Sequence, residues 1–253
     1  MRASTRSVPA SSASTRGRAG NAVLDTVEPV APFVALGIRA FTTTRATGDF
    51  AVPLDGVTPS ARQHWEGLLE ALGPAVPRLA SAKQVHGRAV RRHTVAWDGW
   101  VRLDELDGHV TDLSGTALAI SVADCIPIFV AHPAGMVSVL HAGWRGVAGR
   151  ILAEGVAAYT EAGLAAQDLH VHFGPGISGR SYEVGSDVYE QLTGWETVRP
   201  RQVDLRALLM EQARELGIAQ VSASPHCTVE DNDRFFSHRA GDAGRQIAVI
   251  IAP

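Results

Sequence analysis

The apolar patterns of this chain predict an α+β fold, a mixed β-sheet core covered by helices. Three observations carry that expectation. Short strand-like runs cluster through the middle of the sequence, helical periodicities flank them without a regular βαβ alternation, and no motif recurs at a fixed period. The 253 residues, 45% hydrophobic and 19% charged, are enough for one large buried core. We expect a disordered tail over residues 1–25 and a single domain over 26–253. The tail expectation rests on a Ser-, Ala-, Thr- and Arg-rich start with no acidic residue in its first 20 positions and no amphipathic face of the kind a transit peptide needs.

Residues 33–44 then read as a strand. Thr58 and Pro59 supply an N-cap and a first-turn proline, and Trp65, Leu68, Leu69 and Leu72 recur at helical spacing up to the stop at Gly73-Pro74. Strand-like runs follow at 78–85, 89–95, 117–122, 126–131 and 136–140, separated by turn residues. Residues 146–159 read as one helix, 169–173 as a strand and 186–192 as a second helix. A third helix has Asp204 as its cap, Leu205, Leu208, Leu209 and Leu216 as its stripe, and Gly217 at its end. A strand at 246–251 closes the chain.

Bulk properties narrow the function. A net charge of −3 offers no attraction to nucleic acid or to an anionic membrane surface. No run approaches the roughly 20 apolar residues of a membrane span, and the N-terminus has no secretory signal, so a cytoplasmic address is expected. Under those conditions Cys125 and Cys227 are free thiols rather than a disulfide. A monomer is the default expectation for the assembly.

Three short stretches pair a metal-capable side chain with turn glycines or a strand end: Gln84-Val85-His86-Gly87, Ala123-Asp124-Cys125-Ile126-Pro127 and His141-Ala142-Gly143-Trp144-Arg145-Gly146. Strand ends can converge at one sheet edge, where two imidazoles and a thiolate suit zinc and leave a fourth tetrahedral position open. Taken singly, each residue has a plainer reading. A cysteine in the apolar stretch 119–130 is commonly a buried hydrophobe, a lone histidine is commonly structural, and no short signature such as CxxC or HExxH links the three. Gly143, Gly146 and Gly149 around Arg145 fit either an anion-binding helix start or a tightly packed turn. Arg45, Arg239 and Lys83, the one lysine in the chain, are further anion-binding candidates. Asp124 and Glu183 are candidates for moving protons or orienting a ligand histidine.

At these same residues the chain resembles the YfiH, or laccase-domain, family. The motifs are KQVHG at 83–87, ADC with a proline at 127, HAGWRG at 141–146, a Gly-Pro turn and YEVG between 174 and 185, Cys227-Thr228, and FFSHR followed by GRQ between 235 and 246. Matching all of them in order is highly specific. The resemblance implies an α/β/β/α layered fold and a catalytic Zn²⁺ on His86, Cys125 and His141. It implies phosphorolysis of purine nucleosides (adenosine, inosine, guanosine, methylthioadenosine) with adenosine deamination at the same site. Purine nucleosides and phosphate would be the partners, with Arg45 and Arg145 contacting substrate. The chain departs from the family where Arg45 is followed by Ala46-Thr47-Gly48 in place of a Gly-Gly turn and an Asn-Leu segment, and where Ser181 stands in place of a cysteine.

Three rivals come with that reading. A copper polyphenol oxidase would need several His-x-His pairs, and His170-Val171-His172 is the single one present. A metal-free hydrolase acting on peptidoglycan precursors would use Cys125 as nucleophile with His141 or His86 as base. A non-catalytic scaffold would keep the motifs for folding alone.

Overall fold

The computed structural model describes residues 26–53 and 56–253; the tail expected over 1–25 lies outside the described residues. Two six-stranded sheets face each other. The first is ordered β1 (Glu28–Pro29), β2 (Arg39–Thr42), β14 (Gln246–Ala252), β7 (Thr116–Val122), β3 (Arg78–Ala82), β5 (Gly99–Leu103). The second is ordered β13 (Gln220–Ala223), β10 (His170–Phe173), β8 (Ile126–Ala131), β9 (Val137–Ala142), β6 (Gly108–Thr111), β4 (Val90–His93). A small ladder pairs β11 (Glu183–Val184) with β12 (Arg201–Gln202).

Side-chain alternation explains why the sheets stack. In β7, Leu118, Ile120 and Val122 point into the layer between the sheets, where they meet Phe129, Val137 and Val139 of the other sheet. Ala117 and Ala119 point the other way, under helix α1 (Pro59–Leu72), whose Trp65, Leu68 and Leu72 cover that outer face. The second sheet does the same. Ile126, Ile128, Val130 and Leu140 face α3 (Ile151–Glu161) and α5 (Leu205–Glu215), with α2 (Trp144–Ala148) and α4 (Ser186–Thr193) alongside. The order of layers is helix, sheet, sheet, helix, the α/β/β/α arrangement expected. Strands buried on both faces read as continuous apolar runs, as 126–131 does.

The Thr58 hydroxyl caps α1 by accepting from Ala61 N at 3.2 Å, and Asp204 caps α5 through Arg206 N and Ala207 N. Three predicted elements differ. Residues 31–36 form a 3-10 helix, because Pro32 starts a turn that Gly37 closes in the left-handed region at φ +69°, so the strand begins only at Arg39. The single helix expected over 146–159 is two, broken at Gly149 and Arg150, where Arg150 takes φ +60° and its side chain reaches Glu215 of α5 at 2.6 Å. The strand expected over 78–85 stops at Ala82, which frees residues 83–87 as a loop. Strands β5, β6 and β13 were not predicted; β5 and β6 contain Gly99 and Gly108, which weaken a strand pattern.

Strand directions gather the motifs at one rim. The end of β7 pairs with the start of β14 (Val122 with Gln246), and β3 runs parallel to β7. In the second sheet the start of β8 pairs with the end of β9 (Ile126 with Ala142), and the start of β6 pairs there too (Gly108 with Leu140). The 83–87 loop, the 123–125 turn, Asp107 and His141 therefore lie together.

Candidate metal centre and its cavity

His141 shares the strand parity of Val137 and Val139, so it points into the inter-sheet layer at the mouth of the sandwich and is 3% exposed. Cys125 ends the β7–β8 turn, which Asp124 makes tight by adopting φ +84°. His86 is held at φ +58°, again a left-handed conformation uncommon for a residue with a Cβ. One donor atom from each of His86, Cys125 and His141 lies within 4.8 Å of the others. The two imidazole planes are inclined by 73°.

The residue that enforces this geometry is Asp107, which has no exposed surface. Its carboxylate accepts from Val85 N at 3.2 Å, His86 N at 3.0 Å and Gly87 N at 2.7 Å, wrapping the loop around one anion. It also accepts from His141 Nδ1 at 2.8 Å, and its backbone carbonyl accepts from His141 N at 2.7 Å. With Nδ1 committed to Asp107, Nε2 of His141 is the nitrogen left for Cys125: protonated it donates to the thiolate, and deprotonated it can offer a lone pair to a metal. Burial alone would push the Asp107 carboxyl up, but the His141 and backbone donors hold it below the usual range. Asp107 was not among the candidates read from the sequence. Followed by Gly108 it reads as a turn, and its donors come from segments 20 and 34 residues away.

Electrostatics favour a thiolate. Burial pushes the Cys125 thiol up, but the His141 charge and hydrogen bonds from His141 and His86 outweigh it, leaving the thiol at about 6. Burial pulls His141 down, yet Cys125 and Asp107 carry it up to about 9. Close approach requires Gly143, because a Cβ there would meet Cys125 Sγ and His86 Cδ2 at 3.0 Å each. Two imidazoles and one thiolate so arranged are a donor set that fits a first-row metal ion.

The three donors lie in a cavity of about 970 Å³ that continues past the rim to the α1 side of the first sheet. Lys83, Arg145, Arg239, Asp124 and Tyr182 line it. Arg145 stacks on Trp144 at 4.3 Å, and Arg239 lies over Tyr182 at 5.2 Å while donating to the backbone carbonyls of Ser181 and Glu183. The Asp124 carboxylate accepts from the Thr228 hydroxyl at 2.6 Å and from Arg239 N at 2.7 Å, so both of its oxygens hold structure together. The glycines of the 143–149 stretch are explained by packing: a Cβ on Gly146 would meet His141 O at 3.2 Å and one on Gly149 would meet Arg145 O at 3.0 Å.

Two expected site residues do not line the cavity. Arg45 turns into the 232–242 segment, where its Nε donates to Asn232 O at 2.6 Å and Phe235 O at 3.1 Å and its guanidinium pairs with Asp242. Its neighbours make it a structural clamp. Glu183 is exposed on β11 and meets the site only through its backbone carbonyl.

The family model described as multi-copper polyphenol oxidoreductase laccase matches residues 58–253. The chain belongs to the laccase-domain, or YfiH, family. A Deinococcus radiodurans protein named purine nucleoside phosphorylase is 36% identical, covering 83% of this chain and 88% of its own. A Mycobacterium tuberculosis protein of that name is 33% identical over 86% of this chain and 93% of its own. Among solved structures, YlmD from Geobacillus stearothermophilus has a TM-score of 0.78 at 28% identity, covering 85% of this chain and 92% of its own. The Bacillus licheniformis protein YfiH superposes with a TM-score of 0.81 at 21% identity over 90% of this chain and 97% of its own, a likeness of fold. No described helix is long and apolar enough to cross a membrane.

Proposed function

We propose that this chain is a zinc-dependent purine nucleoside phosphorylase that also deaminates adenosine, with Zn²⁺ on His86, Cys125 and His141. The observation that carries the reading is the three-donor cluster at the base of a large cavity with cationic walls. The name borne by the relatives supplies the substrate class. Bound there, zinc supplies a Lewis acid beside the purine or its sugar. Tyr182, Trp144, Ile177 and Leu205 give aromatic and apolar wall for a planar base. Lys83, Arg145 and Arg239 give the cavity the positive charge that an anionic co-substrate needs. In phosphorolysis a phosphate oxygen bonds to C1′ as the C1′–N9 bond breaks, and the departing base takes up the proton that the phosphate sheds. In deamination water adds at C6 and ammonia leaves, giving inosine from adenosine.

The test is chromatographic. Purified full-length protein is incubated with adenosine with and without phosphate, beside His86→Ala, while bound zinc is measured. Adenine and ribose 1-phosphate formed only with phosphate, inosine formed without it, and both lost with zinc in the variant are the expected results. No product from zinc-loaded wild type would overturn the reading.

One observation favours a second reading. The low thiol of Cys125, the raised His141 and the buried Asp107 behind it resemble an activated cysteine, histidine and orienting carboxylate. A hydrolase of that kind, acting on a peptidoglycan precursor, would be alkylated at Cys125 by iodoacetamide and would keep activity in chelator. Stoichiometric zinc lost in Cys125→Ala is expected instead. The copper reading finds less support, since one three-donor cluster is present among the described residues.

A further inference from the structure

The α1-facing part of the cavity has its own chemistry. Ser81 and Arg102 are register partners in the parallel β3–β5 ladder, and Leu79 with Trp100, two steps earlier, is the preceding pair on the same face. Trp100 stacks on Trp65 of α1 at 5.2 Å with an interplanar angle of 1°, and its indole N–H donates to Ser81 Oγ at 2.8 Å, which sets this face toward α1. Lys83 prolongs the ladder by donating its backbone N–H to Leu103 O at 2.8 Å, so it falls on the same face as Ser81 and diagonally beside Arg102. Gln84 pins the next step of chain by exchanging two hydrogen bonds with the backbone of Ser121, at 2.7 and 2.8 Å. Lys83, Arg102, Ser121 and His64 all line the cavity at this point.

Lys83 and Arg102 line the same cavity and turn positive charge toward it. Among the described residues, neither the Lys83 ammonium nor the Arg102 guanidinium has a hydrogen-bond or ion-pair partner within contact distance, whereas Arg239 and Arg245 spend theirs on backbone carbonyls. Asp49, which also lines the cavity, accepts from the backbone N–H groups of Ala51 and Arg245 on its Oδ1 and makes no ion pair with either cation. Burial lowers Arg102 from its ordinary value, with Asp104 acting against it, so the guanidinium is partly withdrawn from water, where an anion is held more strongly.

We infer that Lys83 and Arg102, with the Ser121 hydroxyl beside them, form a subsite for a phosphate dianion, separate from the three metal donors. The proposal rests on the phosphorolysis reading for its ligand and adds Arg102 as a substrate-binding residue. A planar guanidinium presents two parallel N–H groups to phosphate oxygens while the ammonium supplies a point charge. The phosphate is either the free co-substrate or the ester of a nucleotide, and the two share this recognition chemistry.

Calorimetric titration of zinc-loaded wild type, Arg102→Gln and Lys83→Met with inorganic phosphate and, separately, with adenosine 5′-monophosphate tests it. Thermal melting of each variant checks that it folds. Phosphate binding is expected to weaken at least ten-fold in each variant, with KM for adenosine changed less than two-fold and KM for phosphate raised in step. Wild type that binds the monophosphate but not inorganic phosphate, with the same dependence on Arg102, supports the subsite with the ester as its source. Phosphate affinity unchanged in both variants, or no anion bound by wild type, overturns it. Wild type that binds phosphate through Arg102 yet cleaves no nucleoside would sink the phosphorylase reading and leave the subsite standing. Cleavage with phosphate KM unchanged in both variants would do the reverse.

Discussion

Asp107→Asn separates the metal-centre geometry from its chemistry. The carboxylate accepts four hydrogen bonds, two on each oxygen: His86 N and His141 Nδ1 on Oδ1, Val85 N and Gly87 N on Oδ2. An amide keeps one acceptor, so whichever way it turns, two N–H groups directed at this buried side chain, His141 Nδ1 buried and the loop N–H groups part-buried, face an NH₂. Each unsatisfied buried donor costs about 1–3 kcal/mol, giving a loss of about 2–6 kcal/mol. For a chain of this size that lowers Tm by at least about 4 °C. If the amide nitrogen faces His141, the ring must accept on Nδ1 and carry its proton on Nε2, which removes the lone pair offered to a metal. Loss of such an orienting carboxylate weakens metal affinity about 10–100-fold. Competition with a chromophoric chelator measures zinc affinity, and calorimetry measures Tm. A variant that binds zinc as tightly as wild type and melts within 1 °C of it would refute the argument that this carboxylate holds the loop and the tautomer.

Three other predictions follow from the same contacts. Gly143→Ala places a methyl at 3.0 Å from both Cys125 Sγ and His86 Cδ2, so zinc affinity should fall at least ten-fold with a Tm shift below that of Asp107→Asn; equal affinity counts against the close approach. Arg45→Ala should destabilise the fold by about 1–3 kcal/mol, measured by urea unfolding, because two carbonyls and Asp242 lose their donor, while KM for nucleoside and phosphate stays put; a raised KM with unchanged stability would restore Arg45 to the substrate site. His109 is fully buried, its Nδ1 meets His93 Nε2 at 3.0 Å, its Nε2 has no partner, and burial first, then His93, hold it down at about 3. Above about pH 6.5 both folded and unfolded states are neutral there; as pH falls below it only the unfolded chain takes up the proton, so stability drops by about 1.4 kcal/mol per pH unit. His109→Leu should flatten the decline in unfolding free energy between pH 6.5 and 5, and an unchanged slope would remove His109 as its source.

Some of the site was legible in one dimension. His86, Cys125 and His141 stand in short stretches whose turn glycines and strand ends mark a rim, and the structure brings their donor atoms within 4.8 Å. Lys83, Arg145 and Arg239, read from the sequence as anion-binding candidates, also line the cavity. That Arg45 turns into the 232–242 segment was not legible, because an arginine after a threonine run looks free until the chain returns with Asp242. The split of the 146–159 helix was hidden because apolar spacing continues through Arg150, whose left-handed φ depends on packing against α5. Asp107 was invisible as a site residue because its four donors converge only after β6 has paired with β9.

By itself the sequence determined which segments could bury one face or both, where helices α1 and α5 are capped, and which side chains could bind a soft metal ion, since periodicity, capping and ligand chemistry are local properties. Tertiary structure decided the rest: the stacking of two sheets, the shared rim, the anion that wraps the 85–87 loop and the two cations left facing one cavity wall. Those depend on strand order and register, which join residues far apart in the chain and are settled by burial and hydrogen-bond satisfaction over the whole molecule.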